Sequence, residues 1–155
     1  AENAVAKARE GVAHTGLPSL ADDSGLTVDA LKGMPGILSA RWAGRHGDDL
    51  ANLSLVLGQL ADVTADRRGA AFVCAAAYAL PDGSSACVEG RLRGSLLLAP
   101  RGSNGFGYDP IFVPDGYDVT SAELSPSDKD AISHRGQAFR ELGPLLAAAL
   151  GLPAA

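Results

Sequence analysis

Small apolar residues recur at helical spacing between positions 2 and 14. Val5, Ala8 and Val12 share one face, and Gly16 is placed to end the run. Leu17 to Leu20 then read as a strand that runs into Asp22–Gly25, and "LTVDALKGMPGILSARWAG" as a short element followed by a Pro/Gly loop. The spacing of positions 48–61 predicts an amphipathic helix, N-capped by Asp48 or Asp49, with Leu50, Leu53, Leu57 and Leu60 on one face. "AAFVCAAAYAL-PDGS-SACVEGRLRG" has the form of a β-hairpin closed by a Pro-Asp-Gly turn. "GSLLLAP" and "DPIFVP" are two further candidate strands. The last helix is expected to start near Ser133, with Phe139, Leu142, Leu146 and Leu150 on its inner face and a kink at Pro144. The tail at 153–155 is expected to fray. Helices and strands alternate, so the expected class is α/β with a mixed sheet.

Composition narrows the class without naming a function. At 155 residues the chain suits one domain with a sizeable core, and 46% apolar with 20% charged residues is ordinary globular usage. A net charge of −5 argues against a broad nucleic-acid surface. The longest apolar run, 70–80, is too short for a membrane span, and there is no charged-then-apolar leader. Cys74 and Cys87 stand in apolar surroundings without metal-ligand spacing and do not face each other in a simple hairpin register. They read as free thiols in a reducing cytoplasm. The chain opens on Ala1 and is helical in pattern at once, so a further N-terminal segment of a few dozen residues is expected to precede it.

Three stretches carry candidate chemistry. In "ADDSG", Asp22 and Asp23 are adjacent on a strand, so their side chains leave opposite faces. One carboxylate at a strand end can hold Mg²⁺ or take a proton from water, with Ser24 and Gly25 beside it. The competing reading is an Asx-turn closing the strand. In "PRGSNGFGYDP", Gly105 and Gly107 flank Phe106, and Asp109 is held extended by Pro110. Phe106 or Tyr108 can stack on a nucleobase, and Asp109 can accept from a ring N–H. The alternative is a glycine-rich turn with its aromatics packed inward. In "SPSDKDAISHRGQ", an N-cap at Ser133 puts His134 and Arg135 in a first helical turn, where cations oppose the helix dipole by roughly 0.3–1 kcal/mol each. A bound anion or an electron-rich carbonyl would reconcile them, with Lys129 adding a point charge. Otherwise they swing into solvent. His14, His46 and Arg41 read as surface residues and Trp42 as a packing anchor.

Taken together, "ADDSGLTVDAL…MPGILSARWAG", "GSNGFGYDPIFVPDGYDVTSAEL" and "DKDAISHRGQAF" resemble the ITP/XTP pyrophosphatases, in order and over nearly all of 1–150. "ENAVAKA" is similar to that family's second helix. The resemblance implies an elongated two-lobed twisted mixed sheet flanked by helices, the active site in the cleft between lobes, and a homodimer. It implies Mg²⁺-dependent cleavage of non-standard purine nucleoside triphosphates (ITP, dITP, XTP) between the α and β phosphates. Asp23 matches the metal-linked proton acceptor and Ser24 a substrate contact. Phe106, Gly107, Tyr108 and Asp109 match the base-binding loop, and Lys129, His134 and Arg135 substrate contacts. Asp22 is expected to hold the turn or support the metal from behind Asp23. Hypoxanthine and xanthine carry O6 as acceptor and N1–H as donor, the reverse of adenine, so cationic donors at O6 would discriminate against adenine. One departure is large. The family's Thr/Ser-x-Asn-x-x-Lys phosphate loop is absent, since Asn stands only at 3, 52 and 104 and Lys only at 7, 32 and 129. Asp128 also stands where the family commonly has Glu. A purine-nucleotide-binding or dimerisation module without catalysis is therefore the competing expectation.

Overall fold

The computed structural model describes residues 1–152, so the tail expected to fray lies outside the described residues. Helix α1 (Glu2–Thr15) ends at Gly16, whose φ of 70° is the left-handed conformation glycine adopts without steric cost. Its buried stripe is Ala4 and Ala8 rather than Val5, Ala8 and Val12. The small side chain of Ala4 packs close against Ala75 and Ala77.

The strand expected to stop near Gly25 does not stop. Strand β1 (Ser19–Val28) carries Asp22 and Asp23 in its interior, and no Asx-turn closes it there. Two features carry it onward. A Cβ on Gly25 would lie 2.3 Å from the Gly36 carbonyl oxygen, so only glycine lets that loop cross so near. Leu26 and Val28 then enter a core and are fully buried.

Helix α2 (Asp49–Gln59) is capped by Asp48, whose carboxylate accepts the Ala51 N–H at 3.2 Å. Its buried face is Asn52, Leu53 and Val56, continued by Leu60, while Leu50 is 75% exposed. Leu50 therefore does not belong to the inner stripe as expected. The hairpin forms as expected. Strand β2 (Gly69–Ala79) turns through 80–84 into β3 (Ser85–Leu96), with the Leu80 N–H on the Ser84 carbonyl at 2.9 Å. The separate strand expected at 94–100 is the end of β3. It pairs antiparallel with β4 (Phe112–Pro114), Leu96 opposite Phe112. A Cβ on Gly94 would lie 2.2 Å from the Val113 carbonyl oxygen, so this pairing depends on a glycine. The sheet order is β1-β2-β3-β4.

Helix α3 (Pro126–Ile132) was not foreseen, and α4 (His134–Ala149) follows Ser133, whose hydroxyl accepts the Gly136 N–H at 2.9 Å. The α4 helix runs on through Pro144, which removes a single intrahelical donor. Ala138 and Leu142 are its buried residues, and Leu150 falls at the cap, 42% exposed. No helix of the described residues is long and apolar enough to cross a membrane. Cys74 and Cys87 are both free.

The chain divides into two compact units. Among the described residues, unit 1 comprises 1–24, 73–91 and 133–152, and unit 2 comprises 25–72 and 92–132. In unit 1, Cys74, Ala76, Tyr78 and Leu80 pack with Ala138 and Leu142 of α4. In unit 2, Leu26, Val28, Leu53, Val56, Leu60 and Phe112 belong to one core. That core holds an unusual tie. The guanidinium of Arg68 is 1% exposed and donates to the carbonyls of Leu60 (2.6 Å), Leu96 (2.9 Å), Leu97 (2.8 Å) and Val63 (3.3 Å). Burial pushes its pKa down, yet four carbonyl dipoles satisfy the cation without a carboxylate.

Candidate active site

Strand alternation sorts the two adjacent acids as expected. Asp23 faces α1, where its Oδ1 takes the Lys7 ammonium at 2.7 Å and its Oδ2 takes the Asn3 amide at 3.1 Å. Lys7 also donates to the Asp22 carbonyl at 3.2 Å. Burial alone would push the Asp23 pKa up. The hydrogen bonds from Lys7 and Asn3, with the charge of Lys7, outweigh it and hold the carboxyl below its ordinary value. Asp23 is therefore ionised and aimed. Asn3 and Lys7, four residues apart and so on one helical face, were not singled out from sequence. Their spacing on α1 was the available signal, but which strand that face meets is a tertiary fact.

Asp22 leaves the other face of β1. Its Oδ1 takes Arg135 at 3.1 Å, and its Oδ2 accepts from the Ser24 hydroxyl at 3.4 Å and the Cys74 thiol at 3.8 Å. Ser24, two residues on, shares that face. This pairing answers the question raised by a cation at a helix N-terminus. Arg135 is in the first turn of α4, and the compensating anion is Asp22. Its guanidinium also lies 5.6 Å from the Phe139 ring centroid. A Cβ on Gly90 of β3 would lie 2.0 Å from the His134 carbonyl oxygen. That bare glycine lets the start of α4, carrying His134 and Arg135, settle on the strand.

Unit 2 holds the remaining candidates. The two aromatics of the glycine loop part company. Phe106 is 77% exposed, while Tyr108 is 5% exposed and donates its hydroxyl to the Ser39 carbonyl at 2.8 Å. The inward-packed alternative thus holds for Tyr108, while Phe106 is left facing outward. Burial, reinforced by the charge of Asp49, pushes the Tyr108 phenol well up, so it stays protonated. Asp109 is 3% exposed, and its Oδ2 accepts the Phe106 N–H at 2.9 Å and the Lys129 ammonium at 2.5 Å. Lys129 lies 4.9 Å from the Phe106 ring centroid. Gly107 donates its N–H to Asp49 at 2.8 Å, so what it offers a ligand is bare surface rather than a donor. Asp49 was not foreseen as part of this loop.

The donor set decides what metal the chain can take. Among the described residues no group of three or more His, Cys, Asp or Glu is placed to hold an ion. A closed protein cage is therefore not built here. Mg²⁺ commonly needs only one or two carboxylates, with phosphate oxygens completing its octahedron. An ionised, half-buried Asp23 fits that demand.

The chain is 62% identical over 145 residues to a dITP/XTP pyrophosphatase of Mycobacteroides abscessus, covering 94% of this chain and 70% of that protein. It superposes on the crystal structure of a nucleoside-triphosphatase / dITP/XTP pyrophosphatase from Mycobacterium abscessus with a TM-score of 0.81, at 62% identity over 92% of this chain and 75% of that one. A HAM1 protein from Coxiella burnetii gives a TM-score of 0.87 at 44% identity, with 95% and 76% of the two chains covered. With the Ham1 family model matched over residues 1–145, the chain belongs to the Ham1 family.

Proposed function

We infer that this chain is a nucleoside-triphosphate pyrophosphatase, hydrolysing non-standard purine nucleoside triphosphates (dITP, XTP, ITP) to the monophosphate and pyrophosphate. The observation that carries the reading is identity of 55–62% over most of the chain with relatives named dITP/XTP pyrophosphatase. Water adds to the α-phosphorus, the bond to the bridging oxygen breaks, and pyrophosphate leaves with that electron pair.

Within this reaction Asp23 accepts the proton of the attacking water, directed by Asn3 and Lys7. A divalent metal belongs to such chemistry, and we take it to be Mg²⁺, which Asp23 would hold; Asp22, on the opposite face of β1, pairs with Arg135 rather than supporting the metal. When bound it would neutralise phosphate charge and polarise the scissile bond. Ser24, His134 and Arg135 are proposed substrate contacts in unit 1. Phe106 supplies a stacking face for the purine, Gly107 leaves room beside it, and Tyr108 and Asp109 hold the loop while Lys129 brings a cation to the ring. Cationic donors match O6 of hypoxanthine and xanthine and are left unpaired by adenine. A homodimer in the cytoplasm is part of the same proposal.

The test is pyrophosphate release from dITP, XTP, dATP and dGTP with Mg²⁺, repeated on Asp23→Asn. We expect turnover of the first two to exceed that of dATP by at least ~100-fold. The variant is expected to lose about 100-fold or more in kcat. Equal turnover of dITP and dATP would defeat the specificity, and full activity of the variant would remove Asp23 from its role.

A further inference from the structure

We propose that Asp49 is a positioning residue for the purine-gripping loop, setting the direction of Phe106 through the backbone. The proposal rests on the reading of 106–109 as the base loop and adds the residue that holds it. Phe106 is 77% exposed, so core packing does not fix its ring. Its neighbours Gly105 and Gly107 have φ of 74° and 61°, and a Cβ on Gly107 would meet nothing within 4 Å. Nothing steric therefore confines the Gly107 side of the loop. A pair of carboxylates confines it, together with the Asp109 N–H, which the Phe106 carbonyl accepts at 3.2 Å. Asp109 takes the N–H of Phe106 at 2.9 Å and Asp49 takes the N–H of Gly107 at 2.8 Å.

Those two N–H groups belong to the two peptide planes flanking the Phe106 Cα. Holding both planes fixes φ and ψ at Phe106, and with them the direction of its Cα–Cβ bond. Asp109 is part of the loop, 3% exposed and paired with Lys129. Asp49 is not part of it: it stands in the first turn of α2, whose start is anchored by the Asp48 cap. Asp49 is therefore the tether that refers the ring to a rigid element. Ordering the ring before substrate arrives lowers the entropy lost on binding, so the effect belongs to KM.

The experiment compares Asp49→Ala, Asp49→Asn, Phe106→Ala and the double variant Asp49→Ala/Phe106→Ala in steady-state dITP hydrolysis, with thermal melting of each. Asn loses the charge next to the helix N-terminus as Ala does, but keeps an oxygen that can accept the Gly107 N–H. We expect Asp49→Ala to raise KM about 10-fold with kcat within about twofold, and Asp49→Asn to restore most of the loss. In the Phe106→Ala background, Asp49→Ala should add less than about twofold. Equal KM effects of Ala and Asn, tracking melting, would show a helix effect only and overturn the proposal. So would full additivity in the double variant, or wild-type KM in Asp49→Ala while Phe106→Ala raises it. An unchanged KM in Phe106→Ala would instead sink the base-loop reading on which the proposal rests.

Discussion

Replacing Lys7 with Met removes the ammonium 2.7 Å from Asp23 and leaves Asn3 as its remaining side-chain donor. Burial then acts against a weaker opposition, so the Asp23 pKa rises. A ¹³C carboxyl NMR titration of Asp23 should show the midpoint moving up in Lys7→Met; an unmoved midpoint would separate the two residues. The sign for stability follows from the same shift. In the wild type the folded pKa lies below the unfolded value of ~3.9, so the pair stabilises fully above that value. That contribution fades as pH falls through the lower, folded pKa. Urea midpoints should therefore decline on acidification below about pH 4 in the wild type, and with a shallower slope in Lys7→Met. Alternation along β1 made the opposed faces of Asp22 and Asp23 legible in advance. Lys7, Asn3 and Arg135 as their partners were not, because each contact joins positions at least sixteen apart in the chain.

At the scale of elements, glycines set how closely neighbours approach. Gly90→Ala places a methyl 2.0 Å from the His134 carbonyl and 2.6 Å from the Ala138 N, both backbone atoms that cannot swing aside. The start of α4 must shift outward. We expect a loss of about 1–3 kcal/mol in chemical denaturation, and a fall in kcat/KM through displaced His134 and Arg135. Wild-type stability in this variant would show that the helix has slack. The helices themselves were legible where local chemistry speaks: the Gly16 stop, the Asp48 cap and the Ser133 cap all stand where the side chains put them. The faces were less so. In α2 the core accepts Asn52 and Val56 and turns Leu50 outward, since hydrophobicity ranks residues but does not say where the neighbouring element lies. The sequence points to a shorter β1 because Asp-Asp-Ser-Gly is turn chemistry by composition. Burial of Leu26 and Val28 overrides that preference.

At the scale of the whole molecule, each unit closes around its own core, and unit 2 depends on a buried cation. Arg68→Met keeps much of the volume but strips donors from the carbonyls of Leu60, Val63, Leu96 and Leu97. The Leu60 carbonyl keeps the Val63 N–H at 3.0 Å, but each buried acceptor left unsatisfied costs about 1–3 kcal/mol, so the loss should reach about 3 kcal/mol. A drop in urea midpoint of the size seen for a surface Arg, such as Arg45→Met, would contradict that account. Arg68 drew no notice as sequence because arginine is ordinarily a surface residue, and only the meeting of four carbonyls around it makes an interior site.

Local chemistry was sufficient for the α/β class, the hairpin and the helix caps. These follow from interactions over a few residues, where backbone geometry and side-chain type leave little choice. The assignment of partners was settled by the folded chain alone: Lys7 to Asp23, Arg135 to Asp22, Asp49 to Gly107, Tyr108 inward and Phe106 outward. Such contacts depend on which distant segments packing brings within 3 Å or so, and no local preference carries that information.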